Sequence, residues 1–548
     1  MAETTKKTTT TKKTVTAKTA TETKKNTASA KTAPEKAVKK PATKKTTATA
    51  KKQPVKKVAK KATPEITVKK KKEVIFIASE GQPFVATGGL ADVIGSLPQA
   101  IAERGNYKVS VILPLYSQVD ANYRQLFKFV GHFEVSLSWR RIYCGVFTFE
   151  HKGVTYYFID NEYYFKRDNG LYGYYDDGER FAFFSKASLD VIGYLGIYPD
   201  VIHCHDWQTA LSVIYLKTAY SGSGLYNKIK TVFTIHNIEY QGKFGFDVLG
   251  DLFGLSDEYR GVLDNDGCIN LMKAAIELSD KVTTVSPTYA NEIKDDYFAH
   301  GLASTIRRNE SKLTGILNGI DTDFYNPKTD RMIFAGYDAN DLTGKAVCKK
   351  SLQTMLNLPV REDVPVIAMI TRLVGHKGLD LVRQVAGEIL MDDVQLVILG
   401  KGDSVYENFF TDLQRNYPGK CATMIAYNQD LSRKIYSGAD IFLMPSKTEP
   451  CGLSQMIASR YGTVAIVRET GGLNDTIKAG IGGNGYSFNA YNAYDMLYVI
   501  REAVRDFADK KKWSDVQKRA MLTDFGWKNQ EYKNSVPPVN CLLPDQTA

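Results

Sequence analysis

From Glu73 onward the chain alternates two hydrophobic patterns. Short apolar runs rich in β-branched residues occupy 74–78, 109–113, 154–159, 201–204 and 232–235, and they predict strands buried on both faces. Between some of them, 181–195 and 209–220 place apolar residues at helical spacing, and 280–285 predicts a further strand leading into a helix that starts near Pro287. A second series follows Leu317-Asn318-Gly319-Ile320-Asp321, with strands predicted at 364–370, 394–399, 422–426, 441–444 and 464–467, each followed by a helical stretch. The polar segment 324–350 reads as the junction, and the amphipathic stretch 513–532 can pack on either side. The fold class expected is therefore α/β: two Rossmann-like, doubly wound domains facing a cleft.

Two turns punctuate this pattern. Thr87-Gly88-Gly89-Leu90 follows the first strand and opens a helical run, and Thr470-Gly471-Gly472-Leu473 follows the strand at 464–467. Such turns bring backbone N–H groups and helix N-termini to a phosphate or a sugar hydroxyl. Neither domain carries G-x-G-x-x-G after its first strand and no G-x-x-x-x-G-K-[ST] occurs, which argues against a dinucleotide enzyme and a P-loop. The interdomain cleft is the default site.

Charge changes the picture at one end. The net +12 arises in residues 1–72, where 23 Lys face four acidic residues, while the remaining chain is mildly acidic at −7. This Lys/Thr/Ala-rich segment has almost no large apolar residue and is expected to be a disordered basic N-terminal tail. It is read either as a polycation for nucleic acid, an anionic membrane surface or another anionic partner, or as a solvated spacer. It lacks the apolar core of a secretory signal, and no run approaches the ~18 apolar residues of a membrane span, so no membrane insertion is expected. Seven widely spaced cysteines without Cys-x-x-Cys fit reduced thiols and a cytoplasmic location. No second ligand pair accompanies His203-Cys204-His205, so no metal is expected there.

The chemistry-bearing residues gather at predicted strand ends. Asp206 and His236 close strands of the first domain; Arg372 and Lys377 flank Gly375 beyond a strand of the second, and Glu449-Pro450-Cys451-Gly452-Leu453 follows another. Two cations beside a glycine turn suit a diphosphate, whose charge they stabilise as a bond breaks. Glu449 can bind sugar hydroxyls, stabilise a cationic ring or cap a helix, and His236 and Asp206 read equally as core histidine and N-cap.

The segments ATGGLADVIGSLP, HCHDWQTAL, FTIHNIEYQGKF, GILNGIDTDFYNP, TRLVGHKGLDLV, FLMPSKTEPCGLSQM and YGTVAIVRETGGLNDT resemble the bacterial glycogen synthase and plant starch synthase family, in that family's order, from Glu73 to about Tyr532. The resemblance implies a GT-B fold and retaining transfer of glucose from ADP-glucose to the non-reducing end of an α-1,4-glucan. Beyond the tail that composition sets at 1–72, it implies an acceptor-side domain at 73–317, a donor-side domain at 318–525, and a C-terminal helix and tail at 526–548 crossing back to the first domain. It assigns His236, Arg372, Lys377 and Glu449 to catalysis and Asp206 to the acceptor side. Gly88, Gly89, Arg372, Lys377, Glu449, Cys451, Gly452, Leu453, Thr470, Gly471 and Gly472 fall to donor binding. No cofactor and no metal are implied; Asp321-Thr322-Asp323 is read as structural. One residue departs from the pattern: Ala86 stands where the family has Lys in Lys-x-Gly-Gly-Leu. That motivates a competing reading as a glucan-binding protein that has lost catalysis.

Overall fold

The computed structural model describes residues 71–527. In chain order the first lobe contains β1 (Lys72–Ile77), α1 (Gly89–Glu103), β2 (Tyr107–Pro114), β3 (Lys128–Leu137), β4 (Arg140–His151), β5 (Val154–Asp160), β6 (Val201–His205), α2 (Trp207–Lys217), β7 (Lys230–Ile235), β8 (Lys281–Thr284), α3 (Pro287–Glu292) and β9 (Leu313–Gly315). Its nine strands lie in the order β9-β8-β7-β6-β1-β2-β5-β4-β3. All neighbours are parallel except β5-β4 and β4-β3, which form an antiparallel extension.

The second lobe follows with β10 (Val366–Ile370), β11 (Gln395–Gly400), β12 (Cys421–Ile425), β13 (Ile441–Met444), α4 (Ser454–Arg460), β14 (Val464–Arg468), α5 (Gly471–Thr476), β15 (Gly485–Phe488) and α6 (Lys510–Leu522). Its six strands are wholly parallel, in the order β12-β11-β10-β13-β14-β15. The strand order reverses beside β10 and beside β1, and at such switch points the loops after the strands diverge and open a crevice.

The unbroken apolar runs became the central strands because both of their faces are covered: Val74, Ile75, Phe76 and Ile77 are all fully buried. The β3–β4 hairpin escaped the pattern reading. It mixes exposed residues, with Phe129 55% and Tyr143 46% exposed, among buried ones such as Val135 and Val146, so it never forms a continuous apolar run. The junction at 324–350 also holds the start of a helix, Thr343–Met355. Of the tail at 1–72, residues 1–70 lie outside the described residues, as do 528–548 at the other end.

Two segments run side by side between the lobes. Ile320 N donates to Phe525 O at 3.0 Å, and Ile320 bridges Gly526. Gly319 has no room for a side chain: an added Cβ would sit 2.8 Å from Trp527 N. Trp527 then enters the first lobe's core beside Val74, Phe76 and Leu97, and its Nε1 donates to Ser96 Oγ of α1 at 2.8 Å. Among the described residues no helix is long and apolar enough to cross a membrane.

Trp527→Ala removes a buried indole and its hydrogen bond from that core. The expected cost is about 3–5 kcal/mol, read as a lower midpoint in urea unfolding; an unchanged midpoint contradicts the anchoring role.

Candidate active site

The wall contributed by the first lobe is built from three strand ends. After β1, the Glu80 carboxylate turns back on the first glycine turn, where Oε2 accepts from the Thr87 backbone N–H and from Thr87 Oγ1. Thr87, Gly88 and Gly89 stay exposed, and Ala86 is half-buried beside them. Gly88 is extended (φ −169) and a Cβ there would meet nothing within 4 Å, so packing does not dictate a glycine. Asp92, in the first turn of α1, accepts from Tyr325 OH at 3.4 Å.

After β6, Asp206 takes φ +57, ψ −179, a conformation that non-glycine residues hold only under constraint. The constraint is visible: Asp206 N donates to Thr234 O at 3.0 Å, and Asp206 Oδ1 accepts from the His236 N–H at 2.7 Å. This fastens the ends of β6 and β7 together and fixes His236, whose ring bonds His205 Nδ1 through Nε2 at 2.9 Å.

Burial pushes the carboxyls of this wall upward. Glu80 rises to about 7 through burial, against the lowering effect of Thr87. Asp206 rises to about 7 through burial, against the N–H donors of His236 and Asn237 and reinforced by the charge of Glu80. Asp92 rises to about 6, again through burial. Burial pushes the His236 imidazole the other way, down to about 3, so the ring is neutral at pH 7.

The opposite wall belongs to the second lobe. Beyond β10, the loop carrying Arg372 is pinned just past the end of β11, with Leu373 N donating to Lys401 O at 3.0 Å. A short 3-10 turn, Gly375–Lys377, ends at Gly378. Gly378 takes φ +73 and lies so close to the loop after β13 that a Cβ would stand 2.0 Å from Pro445 O. This approach seats Lys377 against that loop: Lys377 Nζ bonds Glu449 Oε2 at 2.7 Å, and Ser446 Oγ donates to the same oxygen at 2.9 Å. Glu449 is 6% exposed, whereas Arg372 is exposed.

The second glycine turn differs from its twin. Thr470, Gly471 and Gly472 are buried, with the Gly471 N–H on Glu292 Oε1 at 2.9 Å and the Gly472 N–H on Glu449 O at 3.2 Å. A Cβ at Gly471 would approach Glu449 O to 2.0 Å, and one at Gly472 would approach Cys451 O to 2.2 Å. The turn therefore underlies the loop holding Glu449, Cys451, Gly452 and Leu453.

The two walls meet. A Cβ on Gly89 would lie 3.5 Å from Leu453 Cδ1 across the seam. Ser286 Oγ donates to Pro450 O at 2.7 Å, and Thr288 binds both oxygens of Asp475. Burial and the charges of Lys377 and Arg372 lower the His376 imidazole, while Glu449 and, from the first lobe, Glu239 pull it upward. The first lobe thus brings Gly89, Ser286 and Thr288 against Leu453, Pro450 and Asp475 of the second. Pattern reading did not single out Glu80, Asp92 or Glu292, and weighed His205 only as a metal ligand; the position of Glu80 just past a strand end was the available signal. Asp321 Oδ1 accepts from the N–H groups of Asp323 and Phe324, a local turn, and among the described residues no three His, Cys, Asp or Glu side chains are placed to hold a metal.

Residues 73–308 match the family model for the starch synthase catalytic domain, and 355–520 match that for glycosyl transferases group 1. A glycogen synthase of Anoxybacillus flavithermus is 47% identical over 467 residues, covering 84% of this chain and 96% of that protein. One from Bacillus cytotoxicus is 49% identical over 461 residues, covering 83% and 96%. The catalytic domain of starch synthase IV from Arabidopsis thaliana, solved bound to ADP and acarbose, superposes with a TM-score of 0.80 at 33% identity, over 86% of this chain and 100% of that one. A sucrose-phosphate synthase from Thermosynechococcus elongatus shares the fold at a TM-score of 0.53 and 17% identity, over 84% of this chain and 97% of that one. With its two-lobed GT-B architecture and facing strand ends, the chain belongs to the glycogen synthase and starch synthase family of hexosyltransferases.

Proposed function

We propose that the cleft transfers glucose from ADP-glucose to the non-reducing end of an α-1,4-glucan, with retention of configuration, as a cytoplasmic enzyme. The observation that carries this reading is the Lys377–Glu449 pair, with Lys377 on the same loop as the exposed Arg372. An ammonium has three donors. Lys377 spends one on Glu449 and keeps the others for the donor's phosphates, with Arg372 as the second, bidentate-capable cation. These cations meet the charge that develops on the leaving diphosphate without calling on a metal.

Glu449 accepts Lys377 and Ser446 on Oε2, which leaves Oε1 to a hydroxyl of the donor glucose. His236 faces the 6-hydroxyl from the other wall, and Asp206 borders the acceptor. The acceptor hydroxyl attacks the anomeric carbon on the face the diphosphate leaves. The new glycosidic bond forms as the old C–O bond breaks, and the leaving phosphate oxygen takes the acceptor proton. Gly88 and Gly89 approach the donor with bare backbone, while Thr470, Gly471 and Gly472 act from beneath by supporting the Glu449–Leu453 loop. Among the described residues the thiols of Cys144, Cys204, Cys268, Cys348, Cys421 and Cys451 form no disulfide, which supports a reducing compartment.

Incubating the protein with glycogen and labelled ADP-glucose or UDP-glucose tests donor and activity together. Incorporation is expected from ADP-glucose in preference to UDP-glucose, falling at least ~100-fold in Lys377→Ala, the scale of one lost transition-state donor. No incorporation at saturating ADP-glucose, with glycogen binding intact, contradicts the enzyme reading.

Ala86 leaves the first turn without the ammonium that relatives are expected to carry. Because Glu80 holds Thr87 in place, restoring the charge does not require the turn to refold. Ala86→Lys is expected to tighten ADP-glucose binding by ~1.5–3 kcal/mol, the worth of a charge-assisted hydrogen bond. A Michaelis constant unchanged by the substitution means that position 86 does not limit donor binding.

A further inference from the structure

Behind His236 lies a column of imidazoles that the transfer reaction itself does not touch. His205 Nδ1 and His236 Nε2 are 2.9 Å apart. The His205 ring stands 4.2 Å from that of His203, and Phe76 packs against both. His203 Nε2 meets Thr234 Oγ1 at 2.6 Å, and Thr234 Oγ1 meets Thr283 Oγ1 at 2.6 Å. Two ring nitrogens of this column, His205 Nε2 and His203 Nδ1, are buried without a hydrogen-bond partner among the described residues.

Burial lowers all three imidazoles, His203 and His236 to about 3 and His205 well below its ordinary value, with the neighbouring rings adding to the effect on His203 and His205. Each ring is therefore neutral at pH 7 and carries one N–H. Only two arrangements satisfy the His205–His236 bond. If His236 Nε2 donates, His205 must accept on Nδ1 and carry its own proton on Nε2, which strands a buried N–H with no acceptor, a rare and costly state. If His205 Nδ1 donates, the stranded atom is a bare nitrogen, which has no proton to satisfy. The same accounting at His203 puts its proton on Nε2, donating to Thr234, and leaves Nδ1 bare.

We propose that His205 is a positioning residue that fixes His236 in its Nδ1–H form, so that a neutral imidazole presents a hydrogen-bond donor to the cleft. The bond made by one ring nitrogen decides the proton on the other. His236 is half-buried at the end of β7 with Nε2 spent on His205, so Nδ1 is the nitrogen left for a ligand. The backbone N–H of His236 is spent on Asp206. The ring is then this residue's donor, and a sugar hydroxyl meets it as acceptor. With the opposite proton placement the cleft would meet a bare nitrogen. The consequence for catalysis rests on the reading of His236 as a donor-sugar contact; the tautomer does not.

The test is side-chain nitrogen NMR on the full chain labelled with 15N-histidine, which has seven histidines, the His236 signals being identified by their loss in His236→Asn. The Nδ1–H pattern is expected for His236 in the unsubstituted protein. His205→Phe keeps a ring against Phe76 but cannot donate, and is expected to abolish or mix that pattern. His205→Asn places an amide N–H near the former Nδ1 and is expected to restore it. Turnover with ADP-glucose is expected to fall at least ~10-fold in His205→Phe and to recover in His205→Asn, whereas a merely structural role would leave the tautomer unmoved. An Nε2–H pattern for His236 in the unsubstituted protein, or a pattern unchanged in folded His205→Phe, overturns the proposal. Should the tautomer behave as stated while turnover stays constant, the positioning role stands and the assignment of His236 to the sugar fails.

Discussion

Lys377 and Glu449 are 72 residues apart in the chain and 2.7 Å apart in space, and the second wall of the cleft depends on that contact. They come from neighbouring strand ends of one parallel sheet, those of β10 and β13. Gly378 lets the two loops touch, because any side chain at that position would strike Pro445 O. A buried ion pair is a poor source of net stability, since desolvation offsets most of the attraction. Its value here is positional: a cation is held at a fixed place with donors to spare, beside a carboxylate already oriented by Ser446. The contact explains how a loop cation and a loop acid, each unremarkable in sequence, form one structural unit.

The seam sets that unit against the first lobe. Glu292 at the end of α3 reaches over to the Thr470 hydroxyl and the Gly471 N–H, and Thr288 binds Asp475. These contacts cluster beside the Glu449–Leu453 loop, so the lobes are registered there. On the far side, the paired crossings at Ile320 and Phe525 tie the lobes a second time, with Trp527 anchored under α1. Because α1 begins at the first glycine turn, the crossing braces the same element that presents Gly88 and Gly89.

Much of the fold was legible because central parallel strands must be apolar throughout, and runs such as 74–78 and 394–399 say so directly. The β3–β4 hairpin was not, because a half-exposed edge ribbon mixes aromatic and charged residues without a continuous run. At the site, strand-end position brought Asp206, His236, Arg372, Lys377 and Glu449 into view, but their roles came from family resemblance, since periodicity holds no information on which distant loops touch. The two Thr-Gly-Gly-Leu turns show the limit plainly. Their sequences are identical, yet one is open to the cleft and the other is buried beneath Glu449, because only the second packs under the loop after β13 and receives Glu292. Glu80 stayed hidden, and His205 was weighed only as a metal ligand, for a related reason: a polar residue at a strand end acquires meaning only from the partner that the fold supplies.

The central claim is that Lys377 and Arg372 hold the donor diphosphate while Glu449 and His236 hold its sugar. A crystal structure with ADP and a maltooligosaccharide measures this most directly. The account predicts the β-phosphate within hydrogen-bonding distance of Lys377 Nζ and the Arg372 guanidinium, with the oligosaccharide's non-reducing end directed at the space between Glu449 and His236. A diphosphate bound away from both cations, with the Lys377–Glu449 contact undisturbed, would contradict it.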